Sequence, residues 1–351
     1  MGRRTMVMIV AVIAATLVPA RARSQSVKVK GIDSLQMRAN VQVQLNTTSV
    51  EDEPGSEWLL RRARVGVRGW AGGWIRGDLE ADFGRGGAKL TDGYLALGFA
   101  PALALRLGQF KKPFDALELI SSRELLVAER DGSPRGAGGP TPTGLVDGLG
   151  YSNRDIGAEW SGRSGRLGWA AGFWNGAGDN EAEDDDGKQL AGRLSVAAVP
   201  GWSVSGAWTG KRVSEPPDAE DPAWVHAVEA AVTGGQYGEP GWRALGQVMA
   251  GDNWHPDQGG GGEISFLALQ GVVGYHVPVF TIPYLVGVEP VLRIGYTDPD
   301  TDGGDDEATL STIGVNLYLH RQLKTQIQVD FLSPAERDGE VALRVHTVLE
   351  F

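Results

Sequence analysis

Arginine recurs at even spacings along stretches that otherwise alternate between apolar and polar residues. Arg62, Arg64 and Arg68 share one face of such a stretch, and Arg38, Arg76, Arg106 and Arg193 hold the polar face of others. A guanidinium presents a planar fork of donors that grips two oxygens of one anion, and a lysine ammonium adds a point charge. Lys111, Lys112, Arg123, Arg130 and Arg135 place five more cations at the start of and along one long connecting segment. Such a row replaces part of an anion's hydration shell and, where binding is weak enough, passes the anion on. Acids share these faces: Asp78, Asp92, Glu159, Glu289 and Asp330 would favour cations. If Ala71-Gly72 is a tight turn, Arg64 stands opposite Glu80 and Arg62 opposite Asp82 as cross-strand ion pairs. That pairing leaves Arg68 beside Arg76, with the loop cations, as the uncancelled positive charge.

These side chains need a wall of strands to hold them. From Leu35 to Asn46 apolar and polar residues alternate without error, and Glu340 to Phe351 has the matching pattern at the other end. A free terminal strand with so long an apolar row would aggregate, so the two ends are expected to close on each other, apolar outside and wet inside. Alternating stretches occur near 35–46, 57–70, 73–84, 88–99, 102–111, 150–161, 165–176 and 188–199. They continue near 201–212, 223–233, 241–251, 263–277, 284–296, 309–320, 322–333 and 339–351. Their lengths suit strands tilted across a bilayer, for which roughly 9–12 residues are needed. The fold class is therefore all-β, a transmembrane antiparallel β-barrel of about 16 strands over residues 35–351. Connections tend to alternate between short turns and long polar loops, as expected of a barrel with one end in the periplasm. Trp58, Trp70, Trp74, Trp160, Trp169, Trp202 and Trp242 lie mostly near strand ends, where an aromatic belt sits.

The connection at about 112–149 is longer than any other. Its first half, Phe114 to Arg130, is expected to be helical, and its second half is rich in Gly and Pro. A barrel of this size leaves an aqueous channel unless something fills it, so this third outer loop is expected to fold inward and narrow the lumen.

Composition excludes several classes of function. The chain has no cysteine, hence no disulfide frame or thiolate metal site, and its formal charge of −11 argues against nucleic acid. Arg3-Arg4, the apolar run Met6 to Val18 and the small residues Ala20 and Ala22 read as a signal peptide over 1–22, followed by a lead-in at 23–34. The acids cluster in connecting segments such as 51–53, 181–186, 215–221 and 298–307. Asp298, Asp300 and Asp302 resemble the start of a calcium loop, yet Thr309 stands where the bidentate Glu belongs, so the stretch reads as an outer loop beside lipopolysaccharide. Five histidines without paired spacing, and a Gly259–Gly262 run lacking Lys-Ser/Thr, give no cofactor site and no enzyme.

Several motifs resemble the phosphate-selective porin O and P family of Gram-negative outer membranes. They are Leu60-Arg61-Arg62-Ala63-Arg64-Val65-Gly66-Val67, Asp92-Gly93-Tyr94, Leu107 to Phe114, Ser121-Ser122-Arg123-Glu124 and Arg154-Asp155-Ile156-Gly157. Phe173-Trp174-Asn175-Gly176, Glu289 to Arg293, Thr312 to Tyr318 and the terminal Phe351 continue the likeness. The resemblance implies a homotrimeric sixteen-stranded barrel that conducts anions past an inward-folded third loop. Joined to the residues above, the expected function is passive diffusion of small hydrophilic solutes, favouring anions such as phosphate or polyphosphate. Arg38, Arg62, Arg64, Arg68, Arg76, Arg106, Lys111, Lys112, Arg123 and Arg130 would line the path. Two alternatives are an unselective or mildly cation-selective general porin, and a structural or surface-binding barrel that conducts nothing.

Overall fold

The computed structural model describes residues 31–51, 53–136, 139–183, 187–213, 223–255 and 264–351. The expected signal peptide at 1–22, the lead-in up to residue 30, the acidic segment 215–221 and the glycine run 259–262 lie outside the described residues.

Strands β1 (Ser34–Thr48), β2 (Glu57–Ala71), β3 (Ile75–Asp82), β4 (Lys89–Ala100) and β5 (Leu103–Lys111) precede the long segment. After it come β6 (Arg154–Ser164), β7 (Leu167–Trp174), β8 (Gln189–Val199), β9 (Trp202–Val213), β10 (Ala223–Gly234) and β11 (Gly241–Asp252). The chain ends with β12 (Ser265–Pro278), β13 (Gly287–Asp298), β14 (Ala308–His320), β15 (Leu323–Pro334) and β16 (Glu340–Glu350). Each strand pairs antiparallel with the next, and β16 pairs with β1, so the sheet is a closed barrel. Closure satisfies every sheet edge, which a wall facing hydrocarbon requires. At the seam Val43 stands opposite Thr347 and Leu45 opposite Val345, and the Phe351 N–H donates to the Ala39 carbonyl at 2.9 Å.

The two faces of the wall differ as the alternation demands. Outward side chains such as Met37, Leu79, Leu194, Ile294 and Ile313 are exposed, forming the apolar surface that lipid covers. Trp74, Phe99 and Trp160 adjoin one another at the short-turn end, with ring centroids 6.0 and 6.1 Å apart. This is the belt expected from the sequence, to which Trp242 and Tyr275 contribute further along the wall.

The interior is largely polar, with one apolar patch. The inward row of β1 includes Gln42 and Gln44, both buried, while Ala227, Met249, Phe266 and Ala268 make an apolar inner face on β10, β11 and β12. Against that face pack Phe114, Leu145, Val146, Leu149 and Tyr151 from the segment between β5 and β6.

That segment is less helical than its sequence suggests. Of Phe114 to Arg130, only α1 (Ala116–Leu119) is helical, and a second short helix, α2 (Pro142–Gly148), follows in the Gly- and Pro-rich half. Helix α1 begins with Asp115, whose side chain accepts from the Leu117 and Glu118 amides, and ends where Ile120 turns extended. The Arg130 guanidinium then takes the Leu117 and Ile120 carbonyls that a longer helix would have used. Tertiary partners outcompete the next helical turn. From Leu125 onward, interior wall residues hold the backbone: Lys324 donates to the Leu125 carbonyl at 2.8 Å, and Asn316 to the Leu126 carbonyl at 3.0 Å. Gln328 accepts from the Ala128 amide at 3.0 Å, and Arg293 donates to the carbonyls of Glu129 and Arg130 at 3.0 and 2.9 Å.

Candidate solute site in the barrel interior

The register between β2 and β3 decides which cations are cancelled. Arg64 stands opposite Asp82, Gly66 opposite Glu80, Arg68 opposite Asp78 and Trp70 opposite Arg76. The turn therefore spans Gly72 to Trp74, longer than the expected two residues. This corrects the expected pairs. Arg64 bonds Asp82 at 2.8 Å and lies 3.7 Å from Glu80, while Arg62 donates to Gln42 at 2.7 Å and approaches Glu129 at 3.8 Å. Arg68 is not left uncancelled beside Arg76, because it pairs with Asp78 at 2.5 Å. Asp78 also accepts from Arg38 at 2.6 Å. Arg76 donates to the Tyr94 hydroxyl at 3.2 Å and has no ion pair among the described residues.

The loop cations divide into two groups. Lys112 is buried, donating to the Gly150 carbonyl at 2.7 Å and to Gln189 at 2.8 Å, and burial holds its pKa down at about 8. Arg130 is buried against Glu118 at 3.1 Å; desolvation lowers its pKa. Both serve the loop's own fold. Lys111 pairs with Glu118 at 3.0 Å, Arg123 with Glu350 and Arg135 with Glu340 at 2.6 Å.

Five of the ten expected residues share one cavity of about 530 Å³ between the loop and the wall: Arg38, Arg64, Arg106, Lys111 and Arg123. Arg154 and Arg193 complete the cationic lining, and Glu80, Asp92, Glu159 and Glu350 supply its carboxylates, so seven cations face four acids. Arg62, Arg68, Arg76, Lys112 and Arg130 do not line it. Arg106 is the most loosely held of the seven, 3.7 Å from Glu159 with its guanidinium 5.0 Å from the Tyr94 ring centre and 4.8 Å from that of Phe110. Arg154 was absent from the expected set. It pairs with Asp92 at 2.9 Å and stands opposite Lys111 across β5 and β6, and no alternation marks it because it starts its strand. Gly108 explains Lys111: its φ of +128° suits glycine, a Cβ there would overlap the Gly93 carbonyl, and past it Gln109 and Phe110 are both buried.

In the loop between β13 and β14, Asp300 accepts from the Asp302 amide at 3.0 Å, and Asp298 from the Tyr296 hydroxyl at 3.3 Å. Among the described residues no three acids or histidines are placed to hold a metal ion.

A closed barrel with an apolar exterior and a charged interior cavity is the architecture of outer-membrane porins, channels rather than enzymes. The chain belongs to the phosphate-selective porin O and P family, whose sequence model matches residues 34–214. No curated protein matches the sequence. Among solved structures, the anion-selective porin from Comamonas acidovorans is similar with a TM-score of 0.63 at 14% identity, covering 91% of this chain and 99% of that one. The outer membrane channel DcaP of Acinetobacter baumannii gives 0.64 at 11% identity, with 93% and 99% covered. The trimer form of OmpT from Vibrio cholerae gives 0.59 at 11% identity, with 90% and 99% covered.

Proposed function

We propose that the protein is an outer-membrane porin that admits small hydrophilic anions, phosphate and its polymers among them, by passive diffusion through the cavity beside its third loop. The observation that carries this reading is the lining itself, seven cations against four carboxylates. A solute there meets guanidinium and ammonium groups first. Asp78, Asp82, Glu118 and Glu229 pair with several of those cations without lining the cavity, so a solute feels them from further away, and Coulomb energy falls with distance. Weak, repeated contacts of this kind attract an anion without trapping it. The loop acts as the constriction: its contacts are with interior wall residues, and its run from Leu119 to Arg123 forms one side of the cavity. Export by the leader at 1–22 and assembly as a homotrimer, OmpT of Vibrio cholerae also having a trimer form, complete the reading. The lipid and lipopolysaccharide of the outer membrane surround it.

A second reading, a weakly selective general porin, draws on the same ion pairs. Each of the seven cations has a carboxylate within 4.0 Å, so the far-field charge is close to balanced. The reversal potential of the purified protein in a planar bilayer under a KCl gradient separates the two. The expected outcome is chloride preference with partial block by millimolar phosphate, both weakened in Arg106→Gln. Potassium preference without block would establish the general porin, and no conductance at all the closed structural barrel.

A further inference from the structure

The run 117–124 of the long loop has a second side. Leu119, Ser121, Ser122 and Arg123 face the cationic cavity, while Leu117, Ile120 and Glu124 line another of about 560 Å³ at the short-turn end. The wall is continuous between them. Along β6, Ser161 borders the first cavity and Arg163 the second; along β8, Arg193 borders the first and Ala197 the second. The two cavities therefore adjoin along β6 and β8.

Its chemistry differs from that of the cavity above. Ile120, Leu126, Leu245 and Val272 give it an apolar side. The Tyr237 ring reaches over that side from the turn between β10 and β11, 5.3 Å from the Arg243 guanidinium carbon and 5.4 Å from the Lys324 ammonium. Arg163, near the end of β6, and Arg166, in the turn to β7, also line this cavity; both are exposed, and neither has an ion-pair partner among the described residues. Arg243 also borders the cavity but is held by Glu289 at 3.2 Å. Inorganic phosphate would use the two free guanidiniums and gain nothing from the apolar side. A molecule with an anionic group at one end and a ring at the other uses both, and a cavity of this size is within the usual range for small ligands.

We propose that this short-turn cavity is a binding site for small anions with an apolar or aromatic body, the class of aryl phosphates and aryl carboxylates. Arg163 and Arg166 receive the charge, and Ile120, Leu245 and Tyr237 receive the body. The inference rests on solutes traversing the barrel and narrows the substrate class beyond plain inorganic anions.

The test uses the full-length mature protein in planar bilayers, with phenyl phosphate and inorganic phosphate added in turn to each side of a KCl current. The expected result is half-block by phenyl phosphate at about tenfold lower concentration than by phosphate, as burial of part of a ring provides, and more strongly from one side. Arg163→Gln combined with Arg166→Gln should abolish that advantage, and Ile120→Asn should reduce it; both arginine side chains are exposed, one at the end of β6 and one in the turn after it, so their loss spares the fold. Equal block by the two probes, or an advantage that survives both variants, overturns the site. The reversal potential keeps the two readings apart. A chloride-selective channel with equal block loses only this site, and a potassium-selective one preferentially blocked by phenyl phosphate loses only the anion-pore reading.

Discussion

Asp78 shows how much one buried side chain decides. It is 4% exposed, accepts from Arg38 and Arg68, and is 3.4 Å from the Tyr94 hydroxyl. Two guanidiniums are thereby held by one carboxylate. Asp78→Asn keeps the shape and removes the charge, leaving Arg68 without its carboxylate and Arg38 with only the more distant Glu80 at 3.7 Å. The chloride-to-potassium permeability ratio should rise about two- to fivefold, the effect of roughly one unit charge a few ångströms from the path in a watery medium. An unchanged reversal potential would place Asp78 too far from the solute to matter. Lys112, by contrast, cannot report on selectivity, because its ammonium is committed to the Gly150 carbonyl and Gln189. Replacing it by an acid would test the docking of the loop.

The third loop is held by contacts along its length. Gly132 lies against Arg293 with φ +75°, and a Cβ there would overlap the guanidinium that holds the Glu129 and Arg130 carbonyls. Gly132→Ala should therefore loosen the loop at a cost of about 1–3 kcal/mol, seen as noisier and larger single-channel currents with the barrel still folded. The loop's titratable groups give it a pH dependence. Burial beside Glu229 and Glu118 raises Asp115 to about 6, and burial near Glu129 raises Asp131 to about 6 although Arg293 and Arg344 oppose it. A carboxyl whose folded pKa lies above its unfolded value binds its proton first in the fold, so stability rises as pH falls from about 6 towards the unfolded value. Glu118, held down at about 2 by Arg130 and Lys111, works the other way, but only once pH falls below its ordinary range. Between pH 6.5 and 4.5 the two aspartates act in the same direction, and Asp147 of the same loop, also raised by burial, acts with them. The aspartates' share is on the order of 2 kcal/mol per group. It is read as the difference in unfolding temperature between the detergent-solubilised parent and the variant Asp115→Asn with Asp131→Asn, followed by heat-modified gel mobility, and should grow in the parent's favour as pH falls over that interval. A difference between parent and variant that stays constant from pH 6.5 to 4.5 would contradict it.

The whole molecule stands or falls with its seam. Strand β16 pairs with β15 on one side and β1 on the other, so removing 340–351 exposes two edges in a wall that lipid must cover. Each unsatisfied backbone group there costs several kcal/mol, and the truncated chain should give no heat-modifiable species and no channels. Recovery of either would mean the sheet can close without its last strand. The interior is asymmetric at this scale too. The loop packs its apolar side chains on the inner face of β9 to β12, is held by polar side chains of β13 to β16, and leaves the cavity against the first eight strands.

Alternation alone carried the barrel. In every strand a period of two puts one row in lipid and the next in water, so the positions of sixteen strands, their antiparallel closure and the apolar exterior follow from local sequence. The cavity needed more. Which arginine meets which acid depends on the count of residues in the turn at Gly72 to Trp74, and one residue more or fewer reassigns every pair across β2 and β3. Phe114 to Arg130 has helical composition, but Arg130 at its own end takes two of its carbonyls, Lys324 and Asn316 take others from positions far along the chain, and such partners are invisible to a periodicity. Arg154 enters the lining through its opposition to Lys111, and Lys112 leaves it through Gly150 and Gln189. Local patterning could set the wall because each strand faces the same two solvents. Only the closed structure could choose the lining, because ion pairs and loop docking are contacts between residues that the sequence holds apart.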